Sequence, residues 1–108
     1  MAMIVKTDYT DAVKNVLRTV EGPLSVQPLF NVVIHNPKTN RVSLLTVGED
    51  DGEDIFEKPI IIGFTETGKI CIEKNHTDLD LEGELLKKGV PGEDIVRKEW
   101  PGLQNPLP

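Results

Sequence analysis

Apolar positions follow two periods along the chain, and the switches between them predict the order of elements. Tyr9, Val13, Val16, Leu17 and Val20 fall at i, i+4, i+7, i+8 and i+11, one face of a 3.6-residue period. The spacing predicts a helix whose apolar face is core, because the opposite face carries both charge signs and no basic excess. Thr7 or Asp8 can cap its start, Asp11 suits the first-turn dipole, and Gly22-Pro23 are expected to stop it.

A β-branched section follows. "LFNVVIH" (29–35) and "RVSLLTV" (41–47) flank the turn cluster "NPKTN", which predicts an antiparallel hairpin. "GEDDGED" (48–54) reads as a loop and "IFEKPIIIGF" (55–64) as a third strand, with Pro59 implying an edge position or a bulge. "TETGK" turns the chain into a fourth strand, 69–74. Alternation there puts Ile70 and Ile72 on one face and Cys71 and Glu73 on the other. One face of the sheet is expected to meet the helices. The runs "VVI" and "III" predict that part of the other is covered too, by a second copy.

A second helix is predicted from Asp78 to Lys88, capped by Thr77 or Asp78, with Leu81, Leu85 and Leu86 as its buried stripe. Lys87-Lys88 suit its last turn, Gly89 stands where a C′ glycine is expected, and Pro91 follows. Pro91 to Asp94 should turn the chain, and Ile95-Val96 should re-enter the core as a short strand or as the start of an extended tail. The expected class is α+β: an N-terminal helix, a four-stranded antiparallel meander, a second helix and a C-terminal strand or tail. Local hairpins dominate this pattern, and no βαβ alternation is expected.

Composition narrows the picture. A length of 108 residues fits one domain, taken as 1–108 with 97–108 as an extended tail. Aromatic residues are only 5% of the chain, so packing must rest on Val, Ile and Leu. A single cysteine cannot form an internal disulfide, and "MAMIVKTDYTDA" has no apolar run behind a basic start. With no stretch near the ~20 apolar residues of a membrane span, the expectation is a cytoplasmic protein. The net charge of −6 and pI of about 4.8 argue against direct binding to nucleic acid, which needs a basic stripe for phosphate contacts.

Candidate chemistry is sparse. The acidic run Glu49, Asp50, Asp51, Glu53, Asp54 lacks the alternating order of an EF-hand loop and reads as a solvated hairpin tip. His35, Cys71 and His76 have no spacing of a zinc site, and Cys71 in mid-strand reads as a small core hydrophobe. No glycine-rich phosphate cradle occurs. These readings predict no catalytic residues, no metal site and no cofactor. A small-molecule- or metal-dependent enzyme using His35, Cys71 or His76 is the alternative.

Several segments together resemble a known family. "DYTDAVKNVL", "LLTVG", "GKICIEKN" and "LLKKGVPGEDIV" are similar in kind and order to segments of the XisI-like proteins, excision-controlling factors for the cyanobacterial fdxN element. The similarity covers about residues 5 to 98, and its most specific part is Gly89 to Val96. Two stretches depart from the family pattern. "RKEWPGLQNPLP" replaces an aromatic-His-Pro-Pro stretch, and the "IIIGF" strand with its preceding acidic loop is atypical. The resemblance implies a non-catalytic accessory protein that acts through a nuclease-like partner of the XisH type, and an acidic protein suits a basic partner. A homodimer is expected, with Arg97, Trp100, Leu103 and Leu107 as partner-binding residues.

Overall fold

The computed structural model describes residues 8–25 and 28–97. Helix α1 spans Thr10–Arg18 and buries Val13, Val16 and Leu17, as the period predicts. The cap position is Tyr9, without a side-chain cap bond; Asp8 stands one residue earlier, its Oδ1 accepting from the Thr10 N–H at 2.9 Å, while Thr7 lies outside the described residues. Hydrogen bonding from the Thr10 hydroxyl, and then from its N–H, favours the ionised carboxylate and holds the Asp8 pKa below its ordinary value of 3.8. The helix ends by tightening. The N–H groups of Thr19, Val20 and Glu21 donate to carbonyls three residues back, a common way to satisfy the last orphan carbonyls.

Six strands form one sheet in sequence order: β1 Gly22–Pro23, β2 Leu29–Asn36, β3 Arg41–Asp50, β4 Glu53–Phe64, β5 Ile70–Asn75 and β6 Ile95–Arg97. The expected four-stranded meander is its centre, β2 to β5, and each outer strand is an addition. Gly22-Pro23 do more than stop a helix, since they pair with Asn31 and Phe30 to blunt the β2 edge. Beyond them Glu21 accepts from the Val33 N–H at 2.7 Å, so another edge donor is satisfied.

β6 lies parallel to β5. A parallel neighbour needs a long crossover, which residues 76–94 with helix α2, Leu81–Lys87, provide. This β5–α2–β6 unit corrects the expectation of no βαβ alternation. Thr77 and Asp78 do not cap α2. Asp80 does, its Oδ1 accepting from the Gly83 N–H at 3.0 Å, while the Thr77 N–H and hydroxyl both donate to Asn75 Oδ1. Leu81 and Leu85 are buried, but Leu86 is 48% exposed. Adjacent helical positions lie about 100° apart, so Leu85 takes the inward direction and Leu86 cannot share it.

The predicted acidic loop is instead mostly strand. Glu49 pairs with Asp54 and Asp50 with Glu53, leaving the two-residue turn Asp51-Gly52. Both carry positive φ, 54° and 82°, the type I′ geometry that Asp-Gly favours. Pro59 sits at a bulge, where the β3–β4 register shifts between Leu44 and Thr46. Pairing of β4 to β5 begins only at Ile60, so the half of β4 before Pro59 has strand β3 alone as its described neighbour.

The core lies between one sheet face and the two helices. Val42, Leu44, Ile60, Ile62, Ile70 and Ile95 pack against Val13, Val16 and Leu17 of α1 and Leu81 and Leu85 of α2. The polar exceptions on this face are partnered: Asn31 donates to the Val20 carbonyl at 3.0 Å and accepts from Thr46 Oγ1 at 2.6 Å. Among the described residues no helix is long and apolar enough to cross a membrane.

Candidate functional site

The stretch from Gly89 to Val96 is a structural corner. Gly89 has φ +93°. Its N–H and that of Val90 donate to Leu86 and Leu85, closing α2 in the way a C′ glycine allows. Val90 is buried, Gly92–Asp94 form a 3-10 turn, and Ile95 enters the core as β6. The Tyr9 hydroxyl donates to Asp94 Oδ2, joining this corner to the start of α1. The aspartate is therefore a brace between the start of α1 and the turn that leads into β6.

Residues available for contact lie on the opposite face of the sheet. Register places Phe30, Val47 and Phe56 side by side across β2, β3 and β4, with Val32 beside Leu45 in the next row and Ile34, Ser43 and Ile61 in the one after. Phe56 is 71% exposed, Phe30 51% and Val32 37%. Toward the β5 side this face becomes charged. Arg41 on β3 reaches over Gly63 on β4 to Glu73 on β5, with Nε–Oε1 at 2.7 Å and Nη2–Oε2 at 2.8 Å. A Cβ on Gly63 would lie 2.7 Å from Glu73 Oε2, so glycine leaves the room this bidentate pair needs. Glu73 hydrogen bonding and charge raise the Arg41 pKa further above its ordinary value.

The face is concave there. A hollow of about 990 Å³ is lined by Ile34, Arg41, Ser43, Lys58, Ile61, Glu73, Lys74 and His76, among others. Lys58 and Lys74 make no ion pair among the described residues. Chemically this arrangement offers an apolar stripe next to cations, a surface for docking.

Of the expected contact residues, Arg97 closes β6, is exposed, and lines a smaller hollow of about 310 Å³ with Glu73, Lys74 and Asp80. Trp100, Leu103 and Leu107 lie outside the described residues. The three side chains of the enzyme alternative do not converge. His35 lines a separate hollow with Asp8 and Tyr9 on the helix side, and His76 lies past the end of β5. Cys71 pairs with Gly63 and is half-buried on the outer face, so it is not a core residue. Cross-strand pairing and alternation put Glu49 and Asp54 on one face of the hairpin tip and Asp50 and Glu53 on the other. Among the described residues no group of three or more His, Cys, Asp or Glu could hold a metal ion.

The outer-face row escaped sequence reading because its members are scattered: Phe30, Val47 and Phe56 become neighbours only through register. The Asp51-Gly52 pair was the available signal, since a two-residue turn there fixes the pairing of β3 with β4.

Fold and surface together define a small α+β domain that packs one sheet face under two helices and leaves part of the other face exposed among the described residues. The family model described as XisI protein matches residues 3–102, and the chain belongs to the XisI family. A crystal structure of a XisI-like protein from Anabaena variabilis is similar over 81% of this chain and 79% of that one, with 28% identity and a TM-score of 0.65. A second Anabaena variabilis structure, the fdxN element excision controlling factor XisI, shares the fold at 19% identity and a TM-score of 0.56, covering 89% and 90% of the two chains. No curated protein matches the chain.

Proposed function

We propose that this protein is a non-catalytic regulator that controls excision of a DNA element through a nuclease- or recombinase-type protein partner. The observation that carries the reading is the family match over residues 3–102. The neighbour described as an fdxN element excision controlling factor gives its direction. Net charge supports action through protein: at −6 the chain is poorly suited to phosphate contacts and complementary to a basic partner. In this reading the protein is cytoplasmic, residues 1–108 are one domain, and the tail from Arg97 holds the nuclease-like partner through Arg97, Trp100, Leu103 and Leu107. The protein works as a homodimer.

Co-purification with the product of the neighbouring gene tests it. A nuclease-like protein retained by the wild type and released by Arg97→Ala with Trp100→Ala is the expected result. Retention of nothing, together with a salt-sensitive shift of bare DNA, would overturn it.

A further inference from the structure

The outer face of the sheet has an unusual distribution of surface. Its middle is apolar across three strands, from Phe30 through Val47 to Phe56, with Val32 and Leu45 adjoining. At 71% and 51% exposure, the two phenylalanines alone leave on the order of 200 Å² in water. With their neighbours they make a contiguous patch of the kind that marks an interaction site on small soluble domains. Charge of opposite sign stands at its two ends. Glu49 and Asp54 face each other across the hairpin near the tip, on the same side of the strands as Phe56. In the other direction lie Lys58 and Lys74, with no ion pair among the described residues.

We propose that this face is covered by a second copy of the chain, stacked sheet on sheet with strand directions reversed. A closed pair of identical surfaces has its two-fold axis in the interface, and the charges choose between an axis along the strands and one across them. An axis along the strands would lay the acidic tip of one copy on the acidic tip of the other. An axis across the strands, between the Phe30–Val47–Phe56 row and the Val32–Leu45 row, brings the Glu49–Asp54 row of each copy over the Ser43–Ile61 row of the other, beside Lys74, with Lys58 one row nearer the axis. The apolar rows then meet in the middle. Phe30 and Phe56, at the two ends of their row, are desolvated by the other copy, and the ion pairs lie at the rim, where they set register and encounter more than affinity. The proposal specifies the second copy in the function proposed above. Its test contains this chain alone, so failure of the dimer and failure of the nuclease-like partner are separately visible.

Light scattering on the full chain over a dilution series gives the mass, and sedimentation gives the dissociation constant. The wild type is expected to be a dimer. Phe56→Glu should weaken it by on the order of 30-fold or more, the scale of an aromatic anchor. Lys58→Glu with Lys74→Glu should weaken it by about tenfold, and adding Glu49→Lys with Asp54→Lys should restore it, at low salt most of all. The circular dichroism of each variant should match the wild type, because none of these residues belongs to the core. A monomeric wild type would overturn the proposal. A dimer indifferent to Phe56→Glu would do the same, as would charge reversal without rescue. A wild-type monomer that dimerises when residues 98–108 are removed would assign the face to the chain's own tail instead.

Discussion

The two faces of the sheet share the same strands and the same β-branched vocabulary, yet they serve opposite ends. On the helix side Val42, Leu44, Ile60, Ile62 and Ile70 are essentially without solvent contact. Strand alternation hands their immediate neighbours, Leu45, Ile61 and Cys71, to the other side, where all are only partly buried. Its most apolar row ends in two well-exposed phenylalanines. Folding is driven where burial is complete, because apolar stabilisation scales with area removed from water. Apolar residues that folding leaves exposed contribute little to the monomer and remain available to another surface.

The sharpest test compares one substitution on each face. Ile62→Ala should lower unfolding free energy by about 2–5 kcal/mol, through lost transfer energy and a cavity in the core. Phe56→Ala should change it by no more than about 0.5 kcal/mol when measured on dilute protein. Urea titration of both variants decides the matter, and equal losses would abolish the contrast. Next in size is Tyr9→Phe, expected to cost about 1 kcal/mol as the bond to Asp94 is lost. It asks whether the helix layer needs its brace to the turn before β6.

A smaller effect tests the best-made contact of the outer face. Glu73→Gln should cost about 0.2–1 kcal/mol, because Arg41 is 40% exposed and the pair is screened. The loss should shrink with added salt. Smallest is the Asp8–Thr10 turn before α1. The folded pKa of Asp8 is depressed, so its contribution is present above its ordinary pKa of 3.8 and disappears as pH falls through the folded value. Wild type and Asp8→Ala should therefore differ slightly in thermal midpoint at neutral pH and coincide in strong acid.

Much of the helix-side face was legible because its signals are local. Tyr9 to Val20 repeat at helical spacing, Gly89 ends α2 by a backbone conformation that side chains disfavour, and "NPKTN" closes a hairpin. The edges were not. β1 is two residues long and has no period to read, and β6 finds its place by pairing parallel to a strand more than twenty residues earlier. The acidic tip misled because charge density resembled a loop, whereas Asp51-Gly52 needs only two residues to reverse the chain. For the contact face, the Arg41–Glu73 pair over Gly63 joins three strands. No single segment contains it.

The brace between Tyr9 and Asp94 also bears on how the chain is made. These residues are 85 positions apart, and β6 must emerge before it can pair beside β5. During synthesis the β2–β5 hairpins can form as they appear, but α1 leaves the ribosome long before its brace exists. Such long-range closure is slow relative to local pairing. Until the Gly89–Val96 corner has left the ribosome, α1 therefore lacks this bond and the sheet lacks its β6 edge.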